Sequence, residues 1–263
     1  EYRWKYLMPK GYTDGFSKNV NYYDTFRECM EKGSVSVDYE RKRREYAQQT
    51  GDIRKGIGMA AFWYNTGVWP ISLETSSCRM VMNQDGSIQV QIGQGADTAF
   101  AQMAAETLGI PFDMVHVMTM QDTDITPFGL GAYASRQTYM AGFSIRQTAE
   151  LLKSHVLDTA VEMTRQMKEN LDIIDGNIVR TTDGSVLMSL GELATEKLYS
   201  LTNCGHLTAE STYQIKNNAY SFGCTFAEVE VDIPGCRATL TNIVNVHDCG
   251  RLINPALAEA QVH

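Results

Sequence analysis

A glutamine set between two glycines, in Ile92-Gly93-Gln94-Gly95-Ala96-Asp97-Thr98, is the stretch of this chain whose residue types are best suited to meet a ligand. The glycines allow close backbone approach and the glutamine amide both donates and accepts hydrogen bonds. A helix starting just after them would aim unpaired N–H groups and the positive end of its dipole at the same point. A plain tight connection from strand to helix would have the same composition, so the stretch decides nothing alone. In a second stretch, Asp122, Thr123, Asp124 and Thr126 lead through Pro127-Phe128-Gly129-Leu130-Gly131-Ala132-Tyr133 into Ala134-Ser135-Arg136-Gln137, where a long helical pattern begins. The aspartates read as turn and capping residues. Arginine, hydroxyl and amide at a helix start suit an anionic or heteroatom-rich ligand, and for Arg136 both that reading and an ordinary structural helix start stay open.

A third stretch runs from Asn245-Val246-His247-Asp248-Cys249-Gly250-Arg251 to Asn254-Pro255 and Glu259-Ala260-Gln261-Val262-His263. His247, Asp248 and Cys249 are adjacent, so on one strand they cannot all face one site, and neither a metal centre nor a Cys–His catalytic pair follows from them. They read as a strand end and turn, with Asn254-Pro255 opening a short helix.

The elements around these stretches must position them. From Gly56 the pattern becomes strand-like through Ile57, Met59, Ala61 and Trp63. Cys78 to Met82 and Ser87 to Gln91 then predict a hairpin across Asn83-Gln84-Asp85-Gly86. After the glycine-flanked turn, Phe100, Met103, Ala104 and Leu108 share one face of a helix that Gly109 ends. Met114 to Met120 is expected as a strand, Gln121 to Gln137 as an ordered loop held over a site, and Thr138 to about Asn170 as a long helix. Ser189 and Glu192 form a capping box, and the last third is rich in strands: Leu207 to Gln214, Phe222 to Val231, and Ala238 to Val246. Hairpins beside crossovers imply an α+β, or mixed α/β, fold. Residues 1–50, with helices near Tyr23 to Lys32 and Val37 to Gln49, read as a helical connector from an upstream part. Residues 51–263 then form the main domain, incomplete at its C-terminal end.

With 263 residues the chain can bury a full core, and a formal charge of −8 argues against a nucleic-acid footprint. The basic run Arg41-Lys42-Arg43-Arg44 is flanked by Asp38, Glu40 and Glu45 and reads as a locally balanced helix face. Six cysteines without a Cys-x-x-Cys pair offer neither a zinc nor an iron–sulfur pattern, and scattered thiols with thirteen methionines suit a reducing cytoplasm. No apolar run is long enough to span a bilayer.

Taken together, Gly93-Gln94-Gly95, Ala134-Ser135-Arg136-Gln137 and Asn254-Pro255 with Gln261-Val262 resemble, in order and interval, the large molybdopterin-binding subunit of the xanthine dehydrogenase and aldehyde oxidase family. Arg54-Lys55-Gly56-Ile57-Gly58, Asn83-Gln84-Asp85-Gly86 and Asn245 to Gly250 look most like its bacterial xanthine dehydrogenase branch. The resemblance implies a molybdopterin-binding domain fold and a molybdenum–molybdopterin cofactor in a dinucleotide form. It implies FAD and [2Fe-2S] on partner chains, a remaining portion of the molybdopterin subunit, and a higher oligomer in the cytoplasm. Gly93, Gln94, Gly95, Ser135, Arg136, Gln137 and Gln261 would hold the cofactor, with Ala134 leaving room at the open face of the metal; molybdenum would take no protein ligand.

The chemistry implied is oxidation of an electron-poor carbon, with oxygen from water, in a purine such as xanthine or hypoxanthine. An aldehyde or a nicotinate-type heterocycle is the alternative within the family, and a non-catalytic assembly paralogue the alternative outside it. The general base of the family is a glutamate beyond His263, so no catalytic residue is assigned here. Two departures stand out: Gln91 runs directly into Ile92-Gly93, and Ala260 stands where the family has glycine before the terminal glutamine. Trp63 and Trp69 fall where family members line the approach to the metal, and core aromatics at strand ends would look the same.

Overall fold

The computed structural model describes residues 2–71, 74–93 and 96–262. They form two compact units, one within residues 2–66 and 217–262 and one within residues 67–216.

The first unit contains helices α1 (Tyr2–Lys5), α2 (Thr25–Ser36) and α3 (Tyr39–Tyr46), strand β1 (Ile53–Thr66) and, from the end of the chain, two further strands and a short helix described below. The second unit comprises β2 (Thr75–Met82), β3 (Ile88–Ile92), α4 (Asp97–Leu108), β4 (Val115–Val117), α5 (Gln137–Thr164), β5 (Leu171–Ile174), β6 (Asn177–Arg180), β7 (Val186–Ser189), α6 (Leu190–Leu198) and β8 (Thr208–Gln214). The chain then returns to the first unit as β9 (Ala219–Asp232), β10 (Arg237–Asp248) and α7 (Pro255–Ala260).

In the first unit β1, β9 and β10 make an antiparallel sheet with β9 at its centre, in register from Ile53↔Asp232 to Thr66↔Ala219 on one side. Alternation puts Phe222, Cys224 and Phe226 on one face of β9, where they are buried with Phe26, Cys29 and Met30 of α2. The helix comes so close that a Cβ on Gly33 would lie 2.3 Å from a ring carbon of Phe226, so only glycine fits. The boundary expected near residue 50 therefore falls inside this unit, because α2 buries its apolar face on β9. The basic run does more than face solvent. Arg41 pairs with Asp38 and Glu45, but Lys42 reaches Glu228 of β9 at 2.6 Å and Arg43 donates to the Ile57 carbonyl at 2.9 Å.

The larger sheet of the second unit runs β4-β3-β2-β8, beside a three-stranded antiparallel sheet β5-β6-β7. The β2–β3 hairpin and the β2–β8 pair are antiparallel, while β3 and β4 are parallel and joined through α4. This is the predicted mixture of hairpin and crossover. Helix α5 packs on the sheet through a stripe at three- and four-residue spacing, Ala141, Ile145, Ala149, Leu152, Val156 and Ala160, all fully buried. A buried leucine such as Leu152 contributes about 2 kcal/mol. Gly109 ends α4 at φ 80°, and a Cβ there would lie 2.1 Å from the Ile173 carbonyl oxygen, so both backbone angle and space demand glycine.

Two elements are shorter than expected. The strand after Pro111 spans only Val115–Val117, because it meets only Ile88 to Val90 of β3. Helix α5 stops at Thr164, where the fully buried stripe has already run out at Ala160; Arg165 takes a left-handed φ of 56° and its N–H bonds the Val161 carbonyl. Among the described residues no helix is long and apolar enough to cross a membrane.

Candidate functional site

Strand β3 delivers the chain to Gly93, and the exit of the long loop delivers Gln137 to the same place. The Gln137 side-chain amide donates to the Gly93 carbonyl at 3.1 Å, and the Gln121 amide donates to the Ile92 carbonyl at 2.9 Å. The intervening loop is also pinned, through an isolated antiparallel bridge between Ser76 and Gly129. Two of the three stretches singled out from the sequence thus meet. Gln94 and Gly95 lie outside the described residues.

Gly93 tests whether this corner is shaped for something besides the protein. Its φ lies outside the left-handed region, and a Cβ would meet nothing nearer than Gln137 Nε2 at 3.6 Å, an ordinary contact. Among the described residues nothing therefore requires glycine there, in contrast to Gly33 and Gly109. A ligand approaching the backbone would require it.

Ala134 and Ser135 both adopt left-handed backbone, with φ of 47° and 53°. For residues carrying a Cβ each such conformation costs about 1 kcal/mol, and strain of this kind gathers at functional sites. It is maintained by neighbours: the Gly67 N–H holds the Ala134 carbonyl at 2.8 Å, and the Arg136 N–H returns to the Tyr133 carbonyl at 3.1 Å. The Ser135 side chain is left exposed at the start of α5, whose N-cap position, Arg136, makes no side-chain capping bond.

Of the two readings left open for Arg136, its side chain takes up the structural one. It is 1 % exposed and is committed to the protein, donating to the Gly131 carbonyl at 2.9 Å and the Thr75 carbonyl at 2.7 Å. Its Nε lies 3.7 Å from the Glu74 carboxylate, and its Cζ stacks 5.0 Å from the centre of the Tyr133 ring. The physical reason is desolvation: Glu74 is wholly buried at the edge of β2, and a buried carboxylate demands a cation. Its other oxygen accepts the Val68 N–H at 2.9 Å. Burial first, and the Glu74 charge second, push the Tyr133 phenol above its ordinary pKa. Sequence reading missed Glu74, whose only signal is an acid placed among Leu73, Thr75, Ser76 and Ser77 with no charged neighbour.

The remaining candidates lie elsewhere. Gln261 follows α7 in the first unit, exposed, with its N–H on the Ala258 carbonyl at 3.2 Å; α7 itself opens as expected, with the Asn254 side chain accepting the Leu257 N–H at 3.1 Å and Pro255 behind it. Trp63, on β1, is 45 % exposed and meets Tyr220 edge-on at 5.7 Å, whereas Trp69 belongs to the second unit and is partly buried. His247 and Asp248 end β10 opposite Gly223 and Phe222 of β9, on alternate faces. Among the described residues no group of three or more His, Cys, Asp or Glu is gathered where it could hold a metal ion.

Backbone amides, a hydroxyl and amide side chains at a helix start are donors of the kind that suit a heteroatom-rich anionic group. Comparison with known proteins places the chain in a family. A model of the molybdopterin cofactor-binding domain matches residues 32–263. The chain is 46% identical over 242 residues to the xanthine dehydrogenase molybdenum-binding subunit of Escherichia coli O157:H7, covering 90% of this chain and 32% of that protein. It is 28% identical over 268 residues to the carbon monoxide dehydrogenase large chain of Hydrogenophaga pseudoflava, covering 95% of this chain and 33% of that one. Among solved structures, a Cu,Mo-CO dehydrogenase superposes with a TM-score of 0.81 at 26% identity, over 99% of this chain and 36% of that chain. Quinoline 2-oxidoreductase from Pseudomonas putida 86 has the same fold, with a TM-score of 0.80 over 96% of this chain and 34% of that one. The chain belongs to the molybdopterin cofactor-binding domain family, with the mixed helix-and-sheet fold of molybdenum hydroxylases. It spans about a third of the length of these relatives.

Proposed function

We propose that this chain is the cofactor-cradling part of a molybdenum hydroxylase that oxidises a purine such as xanthine or hypoxanthine. The observation that carries the reading is the hydrogen bond from Gln137 to Gly93, which joins the two loops into one corner, at a glycine that no described residue crowds. The donor set fits a pterin and its phosphate: oxygen and nitrogen hydrogen-bonding groups with no thiolate or imidazole among them.

In this reading Gly93, Gln94 and Gly95 approach the cofactor through backbone and amide. Ala134 and Ser135 present main-chain groups and a hydroxyl, while the Gln137 amide fixes the corner and keeps its carbonyl oxygen for the ligand. Gln261 is proposed, from the sequence resemblance alone, as a further cofactor-binding residue. The Arg136 guanidinium is turned into the protein, on the Gly131 and Thr75 carbonyls, and does not itself meet the cofactor. The bound molybdenum–molybdopterin group, in a dinucleotide form, supplies the redox chemistry. On partner chains, [2Fe-2S] and FAD would carry the electrons away. The purine assignment follows the relative at 46% identity; Trp63 and Trp69 are proposed as aromatic residues along the substrate approach.

The test is turnover by the assembled complex. Hydroxylation of xanthine or hypoxanthine in preference to nicotinate and simple aldehydes is expected, and preference for nicotinate or an aldehyde would overturn the purine assignment.

A further inference from the structure

We infer that Glu74 and Arg136 form a positioning pair that holds the Ala134-Ser135 turn in the shape that accepts the cofactor. The inference rests on the cradle reading above and adds to it a residue, Glu74, outside both loops.

Glu74 and Arg136 are 0% and 1% exposed, and their charged atoms Glu74 Oε2 and Arg136 Nε face each other at 3.7 Å with no hydrogen-bond partner among the described residues. A buried ion pair is weak evidence for stability, since apolar residues of similar size commonly do as well. What apolar residues could not replace is the connectivity. The guanidinium forks to Gly131 and Thr75, tying the loop to the first residue of β2. The carboxylate anchors the other side of the turn through the Val68 N–H, and Gly67, one residue earlier, holds the Ala134 carbonyl. Both ends of the strained turn are therefore fastened through one charge pair. Two consecutive left-handed residues that carry Cβ atoms persist only where surroundings impose them. Loosening the pair lets the turn relax to an ordinary helix start, which swings the Ser135 hydroxyl and the adjoining amides away from their present directions.

The experiment compares three variants in the full-length holoenzyme with its partner subunits: Glu74→Gln, Arg136→Lys and the double Glu74→Leu/Arg136→Met. Three quantities are read: the thermal unfolding midpoint of the cofactor-free form, amide hydrogen exchange over residues 131–137, and molybdenum and pterin retained after gel filtration. The single variants are expected to lower the midpoint and the retention together. The double variant, relieved of buried charge, is expected to recover the midpoint, yet to exchange faster in the loop and to dissociate its cofactor on the order of 10-fold faster, as is usual when an outer supporting contact is lost. Full retention by the double variant, or a loop that exchanges no faster than in the parent, would overturn the positioning role and leave the pair purely structural. Should Glu74→Gln fail to fold, Arg136→Lys, which keeps the charge and loses the fork, reads the same quantities. A parent holoenzyme without pterin would instead overturn the cradle reading, while the exchange data would still report on the clamp.

Discussion

Helices α6 and α5 begin in opposite ways. At α6 the Ser189 hydroxyl accepts the Glu192 N–H at 3.2 Å and the Glu192 carboxylate accepts the Ser189 N–H at 2.8 Å, so four residues close their own helix end. At α5 the cap position, Arg136, has helical backbone, makes no side-chain capping bond and sends its side chain into the interior, behind two left-handed residues. The first helix start is explained by its local sequence. The second is shaped by Gly67, Glu74 and Thr75, some sixty residues earlier, and leaves Ser135 facing out. A helix end that satisfies itself has nothing left to offer a ligand, whereas one shaped from a distance with its first turn uncapped has.

The contrast can be broken by mutation, starting with the largest effect. Arg136→Met leaves the Glu74 carboxylate buried and alone and is expected to cost about 3–5 kcal/mol in denaturant unfolding; a loss as small as that of an exposed residue would mean the pair is not buried in solution. Ser189→Ala removes a cap for about 1 kcal/mol and should leave pterin content untouched, since α6 is self-contained. A drop in cofactor with that variant would erase the distinction between the two helix starts. For Gly93→Ala the unfolding free energy should move by no more than about 0.5 kcal/mol, because the added methyl meets only an ordinary contact at 3.6 Å, while cofactor retention falls. Unchanged retention would remove the argument from the uncrowded glycine.

The smallest effect is one of pH. The Ser189 N–H, and then its hydroxyl, hold the Glu192 carboxyl below its ordinary value of 4.5. A depressed folded-state pKa gives a contribution fully present above 4.5 and lost as the pH falls below that value through the folded pKa. Glu192→Gln should therefore flatten the acid side of the stability profile; an identical slope would show that the capping box carries no charge-dependent part.

Much of the fold was legible because it is local. Gly109, the Asn83 to Gly86 turn, the Ser189–Glu192 box and the Asn254-Pro255 start all act within a few residues, and each appears where the sequence places it. The two loops of the site were legible as composition, and the Gln137 to Gly93 bond brings them together. What the sequence hid is long-range. The aim of the Arg136 side chain depends on a carboxylate sixty-two positions away in the chain, and a lone Glu74 beside a strand carries no pattern that announces burial. The packing of the first fifty residues on β9 was hidden for the same reason, since Phe26 and Met30 find their partners near residue 224.

The most direct test of the account is the molybdenum and released-pterin content of the native protein, isolated with the chains that accompany it. One molybdenum and one pterin for each copy of this chain, with iron and flavin on companion chains, is the predicted result. A native complex that carries neither metal nor pterin would contradict it.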